Sequence, residues 1–212
     1  MDIRGLEGVE DFLVYNQSSD EEFIDENDQI GIHLSTLFLE LQDIYTTTFI
    51  FKVADSEWDK RVREKEVPDY STVRTILYES LVYRVILGLS KIFANNKEYS
   101  LNKATNQIEQ IYKNNSEVKR TINEIRQKIK SSSMIPIIRE LRDKFFAHLD
   151  KENVLSYFRI DPTPAMKCID CDEIEEWLLL INKLYKKCFG KELPHKSQLP
   201  SKDDIIYTFF WR

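Results

Sequence analysis

The sequence predicts an all-α protein, a bundle of four main helices with shorter helical decorations. Three observations carry that expectation. Only 5 glycines and 6 prolines occur in 212 residues, too few for a turn-rich sheet protein. Hydrophobic residues make up 42% and charged residues 31%, a balance that lets one domain of this length bury a substantial core. Long stretches repeat their apolar residues every three or four positions, and no internal repeat interrupts them.

The first such stretch runs from Ile32 to about Trp58, with apolar residues at 34, 37, 38, 41, 44, 45 and 49, and reads as a long amphipathic helix. After Pro68-Asp69, Tyr70 or Ser71 can open a second helix, from about 71 to 94. Its wide stripe of Ile76, Leu77, Leu81, Val82, Val85, Ile86, Leu89 and Phe93 marks it as the central core helix. Asn95-Asn96 ends it, and two shorter, more polar helices follow at about 101–113 and 116–130.

Ser131-Ser132-Ser133 breaks the pattern, and Pro136 suits the first turn of a helix reaching about 150. Residues 153–170, with Pro162 and Pro164, read as a connection or short hairpin. Asp172-Glu173 opens a further helix, whose inner face is Ile174, Trp177, Leu178, Ile181, Leu184, Tyr185 and Cys188; Gly190 ends it. The tail Ile205-Ile206-Tyr207-Thr208-Phe209-Phe210-Trp211 is too apolar for water and is expected to pack on the bundle or on a partner. Three regions result: an acidic, flexible arm at 1–30, the helical domain at 31–190 and a C-terminal extension at 191–212.

Charge is distributed unevenly. Residues 1–30 hold ten acids and one base, which leaves +3 for the remainder of a chain whose net charge is −6. Residues 97–130 carry eight bases and four acids, a local +4. The arm reads either as a solubilising tail or as a competitor for a basic groove. No apolar run approaches the ~18 residues of a membrane span, and the start MDIRGLEGVED has neither the basic nor the apolar segment of a signal peptide. Three cysteines do not form a disulfide framework. The cytoplasm is the expected compartment, with no membrane partner.

The helix at 137–150 is the unusual one. On a wheel at about 100° per residue, Ile137, Ile138, Leu141, Phe145, Phe146 and Leu149 share one arc, and Arg139, Glu140, Asp143, Lys144 and Asp150 fill the other side. Arg142 and His148 fall inside the apolar arc. A cation there needs an anion: a buried carboxylate, a phosphate, or a group across a subunit boundary. His148, near the helix end, is also favoured by the macrodipole.

The run Arg142-Asp143-Lys144-Phe145-Phe146-Ala147-His148 resembles the signature of the HEPN superfamily, an Arg, a polar residue directly after it and a His several positions later, on a late helix of a four- or five-helix bundle. Tyr83-Arg84 through Lys91-Ile92-Phe93, then Ser100-Leu101, is similar to the second-helix region of the HEPN subgroup named after abortive-infection protein U. Together the likeness spans roughly residues 35–190. It implies a metal-independent endoribonuclease of a prokaryotic defence or toxin–antitoxin system, needing no cofactor and working at a composite homodimer site. RNA and the second subunit are the implied partners, with an antitoxin or regulatory protein as a further one.

In that reading His148 transfers protons, Arg142 holds the phosphate, and Asp143 orients one of them. Tyr83, Arg84, Lys91 and Lys144 are the candidate substrate-binding residues. Many HEPN toxins silenced by nucleotidyl transfer carry a Tyr shortly after the His; here Leu149-Asp150-Lys151 follows, and the next tyrosine is Tyr157. The alternative reading is a non-catalytic HEPN-like module that binds RNA, a nucleotide or a partner protein. A third constellation, Cys168 and Cys171 with Cys188 and His195, has the CxxC spacing of a zinc site, though Cys188 stands on an apolar helix face. His33, near the start of the first helix, reads as a solvated residue rather than a ligand.

Overall fold

A computed structural model describes residues 26–65, 72–94, 99–146, 169–193 and 199–210. Among these, seven helices and no strands occur: α1 (Glu26–Arg63), α2 (Thr72–Ile92), α3 (Leu101–Ile111), α4 (Ser116–Ser131), α5 (Met134–Phe146), α6 (Cys171–Phe189) and α7 (Lys202–Phe210).

Side-chain caps place most of the helix starts. Ser100 accepts from the Lys103 amide at the head of α3, and Asn115 accepts from the amides of Glu117 and Val118 at the head of α4. Ser132 accepts from the Ile135 amide at 3.1 Å, which opens α5 two residues ahead of Pro136. For α6 the cap is Asp170, so the helix starts one residue earlier than Asp172-Glu173 suggests. These oxygens take up amide donors that a first helical turn leaves without partners. Gly190 ends α6 at φ 71°, a left-handed conformation that a side chain would disfavour.

The hub of the bundle is α1, not α2: α1 packs on α2, α3, α6 and α7, whereas α2 packs on α1 and α5. Length explains the difference. A 38-residue helix is long enough to meet several neighbours in succession along its shaft. Ile30, Leu34, Leu37, Phe38, Leu41, Ile44, Phe51 and Ala54 are all buried, so its buried side runs nearly the whole helix. Tyr45 and Phe49, on the same apolar pattern, are only partly buried. Thr48, fully buried, satisfies its hydroxyl by donating to the Ile44 carbonyl at 2.8 Å.

Because α1 begins at Glu26 and buries Ile30, the last five residues of the acidic segment are helical rather than part of an arm. Residues 1–25 lie outside the described part of the chain. Helix α2 supplies Val82, Val85, Ile86, Leu89 and Ile92 to the core. It approaches α1 closely at Gly88, where a Cβ would stand 2.6 Å from Ile44 Cδ1.

Helix α6 completes the core with Ile174, Trp177, Leu178, Ile181 and Leu184. Trp177 is fully buried and packs on Phe93 with ring centroids 4.9 Å apart. Ion pairs link α4 to α6 along one side: Glu117 with Lys187, Glu124 with Lys183 and Lys128 with Glu176. Beyond Gly190 the chain turns back, the Leu193 amide donating to Asn182 at 2.8 Å. Helix α7 packs on α1 and adds Ile205 to the core, while Tyr207 is exposed.

Candidate functional site

Helix α5 sits on α2, and among its described side chains Met134, Ile135 and Ile138 are buried. Leu141 packs against the same core, partly covered. Arg139, which the helical wheel puts on the solvent side, instead reaches α2 and donates to the Phe93 carbonyl at 3.4 Å. That carbonyl lies at the C-terminal end of α2, where backbone acceptors lack helical partners.

Arg142 departs from the wheel in the other direction. It falls within the apolar arc, yet its side chain is 37% exposed. A wheel shows direction around one helix but not how far the neighbours extend along it, and among the described residues α2 is the main element packed on α5. Among the described residues, the anion that Arg142 meets is its neighbour Asp143. Its Nε and Nη2 both donate to Asp143 Oδ1, at 2.8 and 2.6 Å. Asp143 is itself 64% exposed, so the pair sits at the rim of the bundle. Its contribution to stability is small for that reason. Nη1 takes no part in these two bonds, which leaves one edge of the guanidinium directed away from Asp143.

His148 and the side chain of Lys144 lie outside the described residues. On α2, Tyr83 is half-buried and Arg84 and Lys91 are exposed. Arg84 and Lys91 are seven residues apart and so share one face, with Leu87 exposed between them. Arg84 is held toward α1 by Glu40 at 3.5 Å and Asp43 at 3.7 Å. Lys91 stands 5.9 Å from the centre of the Tyr99 ring. The α2–α5 contact thus joins the helix of Arg142 and Asp143 to the helix of Tyr83, Arg84 and Lys91.

The zinc constellation does not assemble. Cys171 and Cys188 are the first and eighteenth residues of the same helix, about 25 Å apart at ~1.5 Å of rise per residue, so they cannot share one ion. Cys168 and His195 lie outside the described residues. Burial also pushes the Cys188 thiol up to about 12, and burial raises Cys171, which disfavours the thiolate that binds metal.

His33 is half-buried rather than solvated, its ring edge-on to Tyr99 at 5.8 Å between centroids. Burial holds its imidazole below the ordinary value, the Lys103 charge acts in the same sense, and a hydrogen bond with Gln107 opposes both. Nothing in the neighbourhood of His33 in the chain signals this, because Tyr99, Lys103 and Gln107 come from another part of it.

Among the described residues, no helix is long and apolar enough to cross a membrane. The HEPN family model described as AbiU2 matches residues 21–187, well over half of the chain and beginning ahead of α1. No curated protein and no solved structure matches.

Proposed function

The chain belongs to the AbiU2 family of HEPN domains, and from that premise we propose that it is a metal-independent endoribonuclease of a prokaryotic defence or toxin–antitoxin system. The observation that carries the reading is the placement of Arg142 on α5: in an all-helical family member, its guanidinium stands at the bundle rim, over a third exposed and steadied by Asp143. A phosphate in solution can reach a cation so placed, and the planar fork suits two phosphate oxygens.

The reaction joins the RNA 2′-oxygen to the adjacent phosphorus and breaks the bond from phosphorus to the 5′-oxygen of the next nucleotide. The products are a 2′,3′-cyclic phosphate and a 5′-hydroxyl. One proton leaves the 2′-OH and one is delivered to the departing oxygen. His148 is the group suited to both transfers, since imidazole titrates near neutral pH. Arg142 offsets the charge that builds on the phosphate oxygens. Asp143 positions Arg142 and does not react.

Two copies of the helix facing each other across a homodimer would bring a second Arg and His to the same phosphate. One imidazole then takes the proton while the other supplies it. The 2′-OH requirement restricts the substrate to RNA. A toxin of this kind needs a control partner, an antitoxin or other regulatory protein, and the cytoplasm is where its RNA substrate lies.

The test is incubation of purified wild type, His148→Ala and Arg142→Ala with mixed RNA in EDTA, with analysis of the cleaved ends. Wild type should cut and leave cyclic phosphates, with the rate reduced about 100- to 10,000-fold in His148→Ala and about 100- to 1,000-fold in Arg142→Ala. Equal inertness of all three, with fold and dimer intact, would move the protein to the non-catalytic class that binds RNA, a nucleotide or a partner protein.

A further inference from the structure

Away from α5, the first turns of α1, Tyr99 and one side of α3 line a cavity of about 550 Å³. That volume lies within the range of small-ligand sites, roughly 300–1,000 Å³. Its walls have a consistent chemistry. Tyr99 lines the cavity and leaves 54% of its surface in solvent, with the half-buried His33 edge-on beside it. Gln29, Gln107 and Gln110 bring three carboxamides, each able both to donate and to accept. Lys103 is the charge in the lining, Lys91 adds a second cation 5.9 Å from the Tyr99 ring centre, and among the described residues no carboxylate lines the space.

His33 Nε2 adds an independent sign. It is buried in the cavity wall and has no hydrogen-bond partner, whereas buried polar atoms in folded proteins nearly always have one. A small turn of the ring toward a polar ligand would supply it.

We propose that this cavity takes a single nucleotide unit, its base stacked on Tyr99 with the base edge met by the glutamine carboxamides, and its phosphate drawn to Lys103 and Lys91. Each part of the ligand has its counterpart. An exposed aromatic ring is a platform for a flat base. A carboxamide presents the paired donor and acceptor that a base edge such as adenine's requires. Two lysines suit one phosphate, and a purely apolar ligand would leave His33 Nε2 without the partner a buried polar atom requires.

The same chemistry belongs to a free mononucleotide and to one unpaired nucleotide of an RNA strand. In the second case the cavity is an accessory subsite that grips the strand away from Arg142, and that version rests on the ribonuclease reading. The first does not.

The experiment measures binding and cleavage separately. Two probes are used, AMP and a short single-stranded 2′-O-methyl oligoadenylate, which has no 2′-OH to attack. Each is titrated against wild type, Tyr99→Ala, Lys103→Ala, and Lys130→Ala as a surface control on α4, with folding checked by circular dichroism. Tyr99→Ala should weaken binding about 5- to 150-fold, the loss of one stacked base. Lys103→Ala should weaken it and lower the slope of log affinity against log salt by about one phosphate contact. Lys130→Ala should change neither.

Binding of AMP with affinity equal to that of the oligomer supports the free-nucleotide source, and binding of the oligomer alone supports the RNA source. The proposal is overturned if wild type binds neither probe, or if Tyr99→Ala and Lys103→Ala bind as wild type does. RNA cleavage in EDTA by the same proteins and by Arg142→Ala separates this result from the ribonuclease reading. Cleavage that needs Arg142, with binding indifferent to Tyr99, removes the cavity alone. Binding that needs Tyr99, with no cleavage by any protein, removes the ribonuclease alone.

Discussion

Gly88 sets how closely α1 and α2 approach, and substituting it tests the packing that carries Arg84 and Lys91. A Cβ at position 88 would lie 2.6 Å from Ile44 Cδ1, 3.0 Å from Ile44 Cγ1 and 3.2 Å from Glu40 Oε1. Ile44 is fully buried, so its side chain has little room to withdraw. Gly88→Ala gains about 1 kcal/mol of helix propensity. Forcing a methyl into this contact costs about 1–3 kcal/mol. The net expectation is a loss of roughly 1 kcal/mol.

The more telling quantity is the coupling between the two positions. Ile44→Val deletes Cδ1, the atom in the closest contact, and alone should cost about 0.5–1.5 kcal/mol. In the Gly88→Ala background the same deletion relieves the clash, so its cost should vanish, a coupling of about 1 kcal/mol. The assay is equilibrium urea unfolding of wild type, the two single variants and the double variant at one fixed concentration, which keeps any subunit association constant across the set. If Gly88→Ala stabilises by about 1 kcal/mol whichever residue stands at 44, helix propensity alone is at work. The close approach would then be refuted.

Two further outcomes can be checked in the same assay. Trp177→Ala removes a fully buried indole that packs on Phe93 and should cost about 3–5 kcal/mol, read as a lower urea midpoint; a loss below about 1 kcal/mol would mean that α6 is not part of the core. His33, held by burial below its ordinary value of about 6.5, binds protons more readily in the unfolded chain. Stability should therefore fall as pH drops below about 6.5, and His33→Gln should flatten that part of the stability–pH profile; an unchanged slope would exclude His33 as its source.

The helices were legible in the sequence because helix formation depends on contacts three and four residues apart and on caps within one turn. The wheel of Ile174, Trp177, Leu178, Ile181 and Leu184, the end at Gly190 and the start near Pro136 are all of that kind. The family was legible too, from the Arg142-to-His148 run and the Tyr83–Leu101 stretch. Both are linear patterns, so no knowledge of neighbours is needed to see them.

What the sequence could not supply is which parts of each helix are covered, since coverage depends on elements far away in the chain. Only the packed structure makes α1 the hub, leaves Arg142 at the rim beside Asp143, and turns Arg139 onto the end of α2. It also separates Cys171 from Cys188 along one helix, and brings His33 together with Tyr99 and Gln107 around a cavity. The physical reason is the same in each case. Local backbone hydrogen bonds and side-chain periodicity decide that a helix forms, while burial, with the charge pairing and cavities that follow from it, is decided by where long-range packing brings the next helix.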